Sequence, residues 1–340
     1  MDIFDIAKLA GVSRKTVQRV LNKSPQVRPE TRDRILKIIE EHQYHPNVSA
    51  RRLVKKKTQT IGLFIIQDTT KHRIYSDDLF YSVVIGSMIS ACSDRGYNVL
   101  VTMADHKDSA AVMKLYREKS IDAGMIISWT NVQRIVDQIV SAGYIVGLFD
   151  QNNLSSPPPS IPIPFLQNEQ GGKDAANYLI QLGHKEIAVI TGDKDNHASI
   201  ERLNGYKIAL KEADIPVHPD FIFNGSFTEK SGSDAVVQWS QKEKFPSAII
   251  CFNDVIALGV IKAMRAAGLS VPDDVSVIGF DNVLLTEYTA PPLTTMHVPR
   301  VEMAASLVEQ LICQIEEKPF DKSSIFKASL IERESCKPPK

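Results

Sequence analysis

The sequence has few cysteines and no metal-binding signature. The four cysteines, Cys92, Cys251, Cys313 and Cys336, are widely separated and form no CxxC pair. This spacing argues against a disulfide framework and against a cysteine-based zinc site. We therefore expect free thiols in a reducing compartment, and we predict no metal and no cofactor.

Long apolar runs are also absent. No run approaches the roughly 18 residues that span a bilayer, and the N-terminus lacks the basic-then-apolar pattern of a signal peptide. We therefore expect a cytoplasmic protein that makes no membrane contact. Its 340 residues are enough for two or three domains with a sizeable core.

Motifs of catalysis are missing as well. The chain has no GxGxxG opening its first strand–helix unit, no GxxxxGK[ST], no GxSxG and no HExxH, and its eight histidines are scattered. Acidic residues at strand ends could serve acid–base chemistry, so an enzyme is the rival class. Nothing else in the sequence favours it, and we predict a protein that is not an enzyme.

The net charge of zero conceals a strong asymmetry. Residues 1–60 hold fourteen lysines and arginines against six acidic residues, so this segment carries +8 and the remainder −8. A basic N-terminal segment on an acidic body predicts that a polyanion binds at one end of the molecule.

The most informative segment is residues 5–22, DIAKLAGVSRKTVQRVLN. Its apolar residues fall at helical spacing in two groups, Ile6, Leu9, Ala10 and Val17, Val20, Leu21. Between the groups, Gly11 can take the left-handed conformation that ends a helix, and Ser13 can cap the next one. Two helices joined by a short glycine-containing turn form a helix-turn-helix.

The outward face of the second helix is rich in hydrogen-bond donors. With the valines turned inward, Arg14, Lys15, Gln18 and Arg19 face outward and suit guanine edges and phosphates in a major groove. The alternative is an ordinary solvated helix face in a small bundle. A third helix starts at Pro29 and carries an apolar stripe of isoleucines at positions 35, 38 and 39.

A basic segment follows the three helices. Pro46 can begin a helix of one or two turns, which is marginal alone in water and would form only on a partner. A basic helix with an exposed Leu53 fits a segment that folds on DNA and inserts its leucine between minor-groove base steps. Taken alone, the segment is better explained as a flexible linker.

From Ile61 onwards, apolar strands alternate with amphipathic helices, which predicts doubly wound parallel sheets. Predicted strands and helices alternate over residues 61–149, and a proline-rich crossing over 155–160 separates them from a second series over 172–280. A second crossing over 291–295 precedes a helix over 300–317 and a strand over 326–331. The pattern predicts two lobes with a cleft between them and crossover strands as a hinge.

Ligands of open parallel sheets bind beyond the carboxyl ends of the strands. The residues at or just past those ends are Ser128, Trp129, Asp150, Asn253, Asp254 and Asp281. An arginine early in the helix after one strand, Arg202, and two aromatic residues, Phe80 and Phe227, complete the candidate set. Carboxylates accept hydrogen bonds from vicinal hydroxyls, and arginine donates in a fork, so the set suits a polyhydroxylated ligand. The alternative is that each acid caps the next helix. We prefer the cap for Asp254 and hold both interpretations open for Asp150 and Asp281.

The chain resembles the lactose/galactose repressor family of bacterial transcription regulators. The resemblance covers nearly the whole chain in the family's order. It rests on DIAKLAGVSRKTVQRVLN, RPETRDRI, YHPNVSARRL, TIGLFI, QGGKDAANYLIQLGHKEIAVITG, RLNGY, FNDVIALGVIKAMRAAGLSVPDDVSVIGFD and PPLTT.

The resemblance implies a role for each matching residue of the basic segment. Arg14 and Lys15 would read bases, Arg19 would support them, and Thr16 would contact phosphate. Gln18 stands where serine is more usual. The remaining positions implied in DNA binding are Asn22, Asn47, Ala50 and the minor-groove wedge Leu53.

The resemblance also favours ligand contacts for the cleft residues. Arg202 matches the effector-binding arginine of RxxG[FYW], and Asp281 matches the acid after the last core strand of the second lobe. Asp150, Asn253 and Phe227 also fall on effector positions. The chain departs from the family at 77–80, where Asp-Asp-Leu-Phe replaces Asn-Pro-Phe-Phe after a lengthened loop over 69–76, so that Asp77 adds a hydroxyl acceptor.

Together these features predict a helix-turn-helix domain over 1–45, a hinge helix and linker over 46–60, and a periplasmic-binding-protein-like effector and dimerisation domain over 61–340. Its first lobe would take 61–160 and 298–326, and its second 161–297 and 327–340. We expect a homodimeric repressor, with a tetramer left open, that binds a near-palindromic double-stranded operator and a carbohydrate effector. The alternatives are control by a phosphorylated carrier protein and, more remotely, a sugar-binding protein without a DNA role.

Overall fold

A computed structural model of the chain describes residues 1–21, 24–44, 57–68, 78–151, 154, 160–320 and 324–340. Contacts divide the chain into two compact units, residues 1–58 and 59–340. The predictions for Asn22, Asn47, Ala50, Leu53 and Asp77, and for the loop over 69–76, lie outside the described residues.

The first unit contains three helices. They are α1 (Ile3–Leu9), α2 (Arg14–Leu21) and α3 (Pro29–Glu41). Gly11 has φ +62°, and Ser13 Oγ accepts a hydrogen bond from Thr16 N at 3.2 Å, so the predicted turn and cap are confirmed. Pro29 begins α3, as predicted.

A small apolar core holds the three helices together. Ile6, Val17, Val20 and Ile35 are its buried centre. Leu9 falls at helical spacing with Ile6, but its side chain is 53% exposed and lies outside this core. The apolar stripe of α1 is therefore narrower than its sequence indicates.

The second unit contains two main sheets. The elements along the chain are β1 (Thr60–Gln67), α4 (Tyr81–Asp94), β2 (Asn98–Asp105), α5 (Ala110–Arg117), β3 (Ala123–Ser128), α6 (Gln133–Ser141), β4 (Ile145–Leu148), β5 (Phe165–Leu166), α7 (Asn168–Gln181), β6 (Ile187–Ile190), α8 (His197–Glu212), β7 (Ile222–Phe223), α9 (Glu229–Ser240), β8 (Ala248–Cys251), α10 (Asp254–Ala266), β9 (Ser276–Asp281), β10 (Thr294–His297), α11 (Arg300–Ile315), β11 (Ile325–Phe326) and β12 (Ser329–Ile331).

The first sheet has the order β2-β1-β3-β4 and is parallel throughout. The second has the order β12-β10-β9-β8-β6-β7 and is parallel except for β12, which runs antiparallel to β10. Every residue of β1 and β3 is buried, as expected for parallel strands covered by helices on both faces. The predicted α/β fold class is confirmed.

Two predictions about the strands are wrong in detail. The segment predicted as a turn-rich crossing over 291–295 leads directly into β10, which pairs with β9. The single strand predicted over 326–331 is two strands. The first, β11, pairs with β5, and the second, β12, pairs with β10. The strands separate because each belongs to a different sheet.

Helix α11 returns the chain to the first sheet. It packs against α4, β3 and β4, although β10 before it and β12 after it belong to the second sheet. The carboxyl ends of β3, β4 and β9 carry the predicted cleft residues. Among the described residues, no helix has the length and apolar character needed to cross a membrane.

Candidate functional site

The first candidate surface is the start of α2. Arg14 and Lys15 are exposed, whereas Thr16, Gln18 and Arg19 are half-buried. The Arg14 guanidinium lies 5.2 Å from the centroid of the Phe4 ring, which is itself 61% exposed. An exposed aromatic ring beside the first basic residue was not predicted, since Phe4 precedes the motif.

Short hydrogen bonds fix the ends of α1 and α2. Asp2 accepts from the backbone nitrogens of Phe4 and Asp5, and Asp5 accepts in return from Asp2 N, which forms a capping box. At the second helix, the Ser13 and Thr16 hydroxyls lie 3.0 Å apart. These hydrogen bonds fix the backbone at the start of α2, which carries Arg14 and Lys15.

The second candidate site is built around Arg202 of α8. The residue is 6% exposed, its Nε donates to Asn168 Oδ1 at 2.9 Å, and its Nη1 donates to the carbonyl oxygen of Phe252. Burial lowers the pKa of Arg202, and Asp281 and Asp150 oppose that shift. The charge of Arg202 therefore interacts with two carboxyl groups that lie at the ends of strands in different sheets.

Asp150 follows β4 and does not cap a helix. Its Oδ1 accepts a hydrogen bond from Leu166 N of β5 at 3.0 Å, in the crossover between the sheets. Burial raises the pKa of Asp150 to about 6, although the Leu166 N–H and Arg202 both favour the ionised form. The alternative interpretation of Asp150 as a helix cap is therefore wrong.

Asp281 is the last residue of β9 and is 8% exposed. Its φ of +113° is unusual for a residue with a side chain, and such strain is found at functional positions. Burial raises the pKa of Asp281 well above its usual range, Asp254 raises it further, and Arg202 opposes both. No helix-capping hydrogen bond of this carboxylate is found within the described part of the chain.

The preferred interpretation of Asp254 as a helix cap is wrong. The cap of α10 is Asn253, whose Oδ1 accepts from Ile256 N at 2.8 Å. Asp254 is fully buried and instead accepts from Val283 N at 2.8 Å and from the Thr295 hydroxyl at 2.6 Å. It therefore holds the turn after Asp281 in place, and burial raises its pKa to about 7.

Aromatic rings line the first-lobe side of the site. Trp129 packs edge-on against Tyr81 with ring centroids 5.0 Å apart, and Tyr81 packs against Phe80 at 5.1 Å. Burial, followed by the charges of Asp150 and Asp78, raises the pKa of Tyr81 well above its usual range. Tyr81 is therefore close to the carboxyl groups, although it was not predicted.

Three further predicted residues are Ser128, Phe227 and Asn253, and the side chains of Ser128 and Asn253 bond to the local backbone. Ser128 is 2% exposed, and its Oγ accepts from Thr130 N at 3.0 Å. Phe227 lies over Gly192, where a Cβ would come within 2.1 Å of the ring. Asn253, besides capping α10, donates from Nδ2 to the Phe227 carbonyl at 3.4 Å. Phe227 therefore keeps an aromatic face beside the second-lobe strand ends.

Arg300, the first residue of α11, was also missed. It is 9% exposed, its Nη1 donates to the Asp281 carbonyl at 2.8 Å, and its guanidinium lies 5.7 Å from the Phe80 ring centroid. Its Nε is buried without a hydrogen bond to any described residue. The residue follows Pro299 at a helix start, and no strand-end signal identifies it.

Glycines bring α7 and α8 into close contact beneath the site. A Cβ on Gly205 would lie 1.9 Å from the Glu169 carbonyl oxygen, and one on Gly172 would lie 2.2 Å from the Arg202 carbonyl oxygen. The two helices therefore cross with their backbones in contact. Gly205 is the glycine of RLNGY, and its role is to set the position of the helix that carries Arg202.

Comparisons with known proteins cover both units. Residues 2–47 match the bacterial regulatory proteins of the lacI family, and residues 176–336 match a periplasmic binding protein-like domain. The transcriptional repressor PurR of Vibrio vulnificus (strain CMCP6) is 34% identical over 327 residues, which are 94% of this chain and 93% of PurR.

Two solved structures are also similar to this chain over nearly its whole length. The complex of the transcriptional regulator CelR with cellobiose is 26% identical, with a TM-score of 0.72 over 98% of this chain and 99% of CelR. The lac repressor dimer bound to operator and an anti-inducer is 24% identical, with a TM-score of 0.83 over 99% of both chains, and this likeness concerns the fold.

Proposed function

Because the chain belongs to the lacI family of bacterial regulatory proteins, we propose that it is a homodimeric repressor controlled by a neutral carbohydrate. The relatives named above are DNA-binding transcriptional regulators and not enzymes. The observation that carries the effector proposal is the buried, hydrogen-bonded Arg202, whose charge interacts with those of Asp150 and Asp281. The DNA proposal rests on the basic start of α2.

The start of α2 supports reading of bases in the major groove. Arg14 and Lys15 are exposed at the N-terminal end of the helix, where recognition helices contact base edges. Thr16, Gln18 and Arg19 would contact phosphates or support the basic pair. Asn22, Asn47, Ala50 and the wedge Leu53 complete the proposed DNA contacts, and for these four the support is the sequence resemblance.

The cleft supports a carbohydrate effector. Asp150 and Asp281 offer acceptors to vicinal hydroxyls, Arg202 offers a fork of donors, and the rings of Tyr81 and Trp129 offer faces for sugar C–H surface. Ser128, Phe80, Phe227, Asn253 and Asp77 complete the proposed set. CelR, which shares the fold, is found in complex with cellobiose.

Exposed apolar residues support a homodimer. Strand β2 is an edge of the first sheet, and Leu100, Val101 and Met103 on it are 38–53% exposed. Unpaired apolar edge strands favour pairing with another chain. A second exposed apolar group, Leu284, Leu285 and Tyr288, lies in the turn after Asp281. A second copy of the chain would cover both groups, and two DNA-binding units would then match the halves of a near-palindromic operator.

The proposed control is thermodynamic. An effector changes DNA affinity only by its different affinity for two arrangements of the lobes. Closure of the cleft around a sugar would move the first lobes of the dimer, separate the hinge helices and remove the Leu53 contacts from the minor groove.

The proposal is tested in two steps. A thermal-shift screen against neutral sugars and sugar phosphates identifies the effector, since a bound ligand raises the unfolding temperature. Gel retardation with genomic fragments, with and without that sugar, then tests the control of DNA binding. A protein that retards no fragment under either condition is not the repressor proposed here.

A further inference from the structure

Three metal-ligating side chains that are not among the proposed effector contacts lie together. Asp105 ends β2 opposite Gln67 of β1, so Asp68 and His106 each follow one residue beyond that pair. His106 N donates to the Gln67 carbonyl at 3.0 Å, which holds the two strand ends side by side. One ligand atom from each of Asp68, Asp105 and His106 lies within 4.8 Å of the other two.

The His106 ring supplies an independent indication of a ligand. Its Nδ1 is buried and makes no hydrogen bond with any residue that the structure describes. A buried imidazole nitrogen without a partner costs free energy, which a bound ligand would offset. The nearest carboxylate atom, Asp105 Oδ1, is 3.5 Å away. His106 Nδ1 therefore lies beside the Asp105 carboxylate.

The separation of these atoms suits a shared metal ion. Two ligand atoms at about 2.0–2.2 Å from a tetrahedral Zn²⁺ are about 3.3–3.6 Å apart, and the observed 3.5 Å lies in this range. Lys107 N donates to Asp105 Oδ1 at 2.9 Å and so fixes the orientation of one ligand, as is usual around bound metals.

We propose that Asp68, Asp105 and His106 bind one divalent transition-metal ion, with Zn²⁺ preferred over Mg²⁺. Two carboxylate oxygens and one imidazole nitrogen suit Zn²⁺, whereas Mg²⁺ takes oxygen ligands almost exclusively. The ion would join the ends of β1 and β2. The site shares no residue with the proposed effector cleft, so its existence does not depend on the proposed function.

Isothermal titration calorimetry with ZnCl₂ tests the site directly. Untagged full-length protein is first treated with EDTA and dialysed, and the titration is repeated in excess MgCl₂. We expect one Zn²⁺ per chain in both conditions. His106→Ala and Asp105→Asn should each weaken that binding at least tenfold, and His218→Ala, at an exposed histidine elsewhere, should leave it unchanged.

Circular dichroism establishes that each variant is folded, and Asp105→Asn decides the question if His106→Ala does not fold. If wild-type protein binds no Zn²⁺, or if both site variants bind it as wild type does, the cluster is a histidine–carboxylate contact only and the proposal is wrong. Displacement of Zn²⁺ by excess Mg²⁺ would overturn the stated preference.

Discussion

The guanidinium of Arg202 lies flat against Phe280, with Cζ 3.6 Å from the ring centroid. Phe280 is the residue immediately before Asp281, so one strand end supplies both a ring beneath the arginine and a carboxylate near it. Cation–π contact and two hydrogen bonds, to Asn168 and Phe252, fix the plane of the fork. The arginine is therefore oriented before any ligand binds.

Replacement of Arg202 by lysine tests this orientation. Lysine keeps a positive charge near Asp150 and Asp281 but loses the planar fork and its contact with Phe280. Loss of a buried, hydrogen-bonded donor typically costs ~2–5 kcal/mol, so we expect effector affinity to fall about 30-fold or more. Operator titration with increasing sugar measures the effect.

DNA affinity without the sugar should be that of wild type, because Arg202 lies in the second unit and the DNA-binding residues in the first. A variant that responds to the sugar at the wild-type concentration would remove Arg202 from the effector site.

Replacement of Asp150 by asparagine tests the cost of burying this acid. Its pKa is about 6 in the folded chain, against an ordinary value of 3.8 for an aspartate in water. The folded state therefore binds the proton more tightly than the unfolded state does. As the pH rises from about 4 to about 6, Asp150 ionises and the free energy of unfolding falls; above about pH 6 this loss is constant. The full effect is on the order of 1–3 kcal/mol.

Asparagine keeps the acceptor for Leu166 N without the charge. Asp150→Asn should therefore raise the free energy of unfolding at about pH 8, and the gain should shrink as the pH falls from about 7 to about 5. Urea denaturation at several pH values measures it, with the exposed Asp33→Asn as the control. A gain that does not change with pH would show that the ionised carboxylate is not the cause.

Much of the fold could be predicted because the relevant signals are local. Gly11 and Ser13 mark the turn of the helix-turn-helix, and buried strands such as β1 and β3 stand out as continuous apolar runs. The apolar runs also predicted the strand ends next to which Asp150 and Asp281 lie, just after β4 and at the last residue of β9.

The errors arise where distant parts of the chain decide the outcome. Tyr81 and Arg300 lie at the starts of helices, so no strand-end rule identifies them. Asn253 and Asp254 are adjacent, and only the backbone turn determines that the first caps α10 while the second bonds to Val283 and Thr295. Pairing with different sheets likewise divides β11 from β12.

Replacement of Gly205 by alanine tests the contact between α7 and α8. The added Cβ would lie 1.9 Å from the Glu169 carbonyl oxygen, so the helices must move apart. Overpacking of this kind typically costs about 1–3 kcal/mol, and we expect a loss of that size. Thermal and urea denaturation measure the loss of stability, and a sugar titration measures the accompanying displacement of Arg202.

Gly86→Ala is the matched control, since Gly86 lies in α4 and, apart from its own helix backbone and chain neighbours, no described atom is within 4 Å of the added Cβ. This change should raise stability by about 0.5–1 kcal/mol, because alanine favours the helix. Equal effects of the two substitutions would mean that the α7–α8 contact carries no special constraint.

Replacement of Arg14 or Lys15 tests the reading of DNA by α2. Each bidentate contact to a base is worth roughly 1–3 kcal/mol of discrimination, so Arg14→Ala and Lys15→Ala should each relax the preference at a different base pair of the half-site. Lys37→Ala, at an exposed lysine of α3, should leave the preference unchanged. Selection from randomised duplexes with each purified variant reveals the preferred sequences. Because the contacts are basic, wild-type affinity should also fall steeply as salt rises. An identical consensus for wild type and both α2 variants would show that neither residue reads a base.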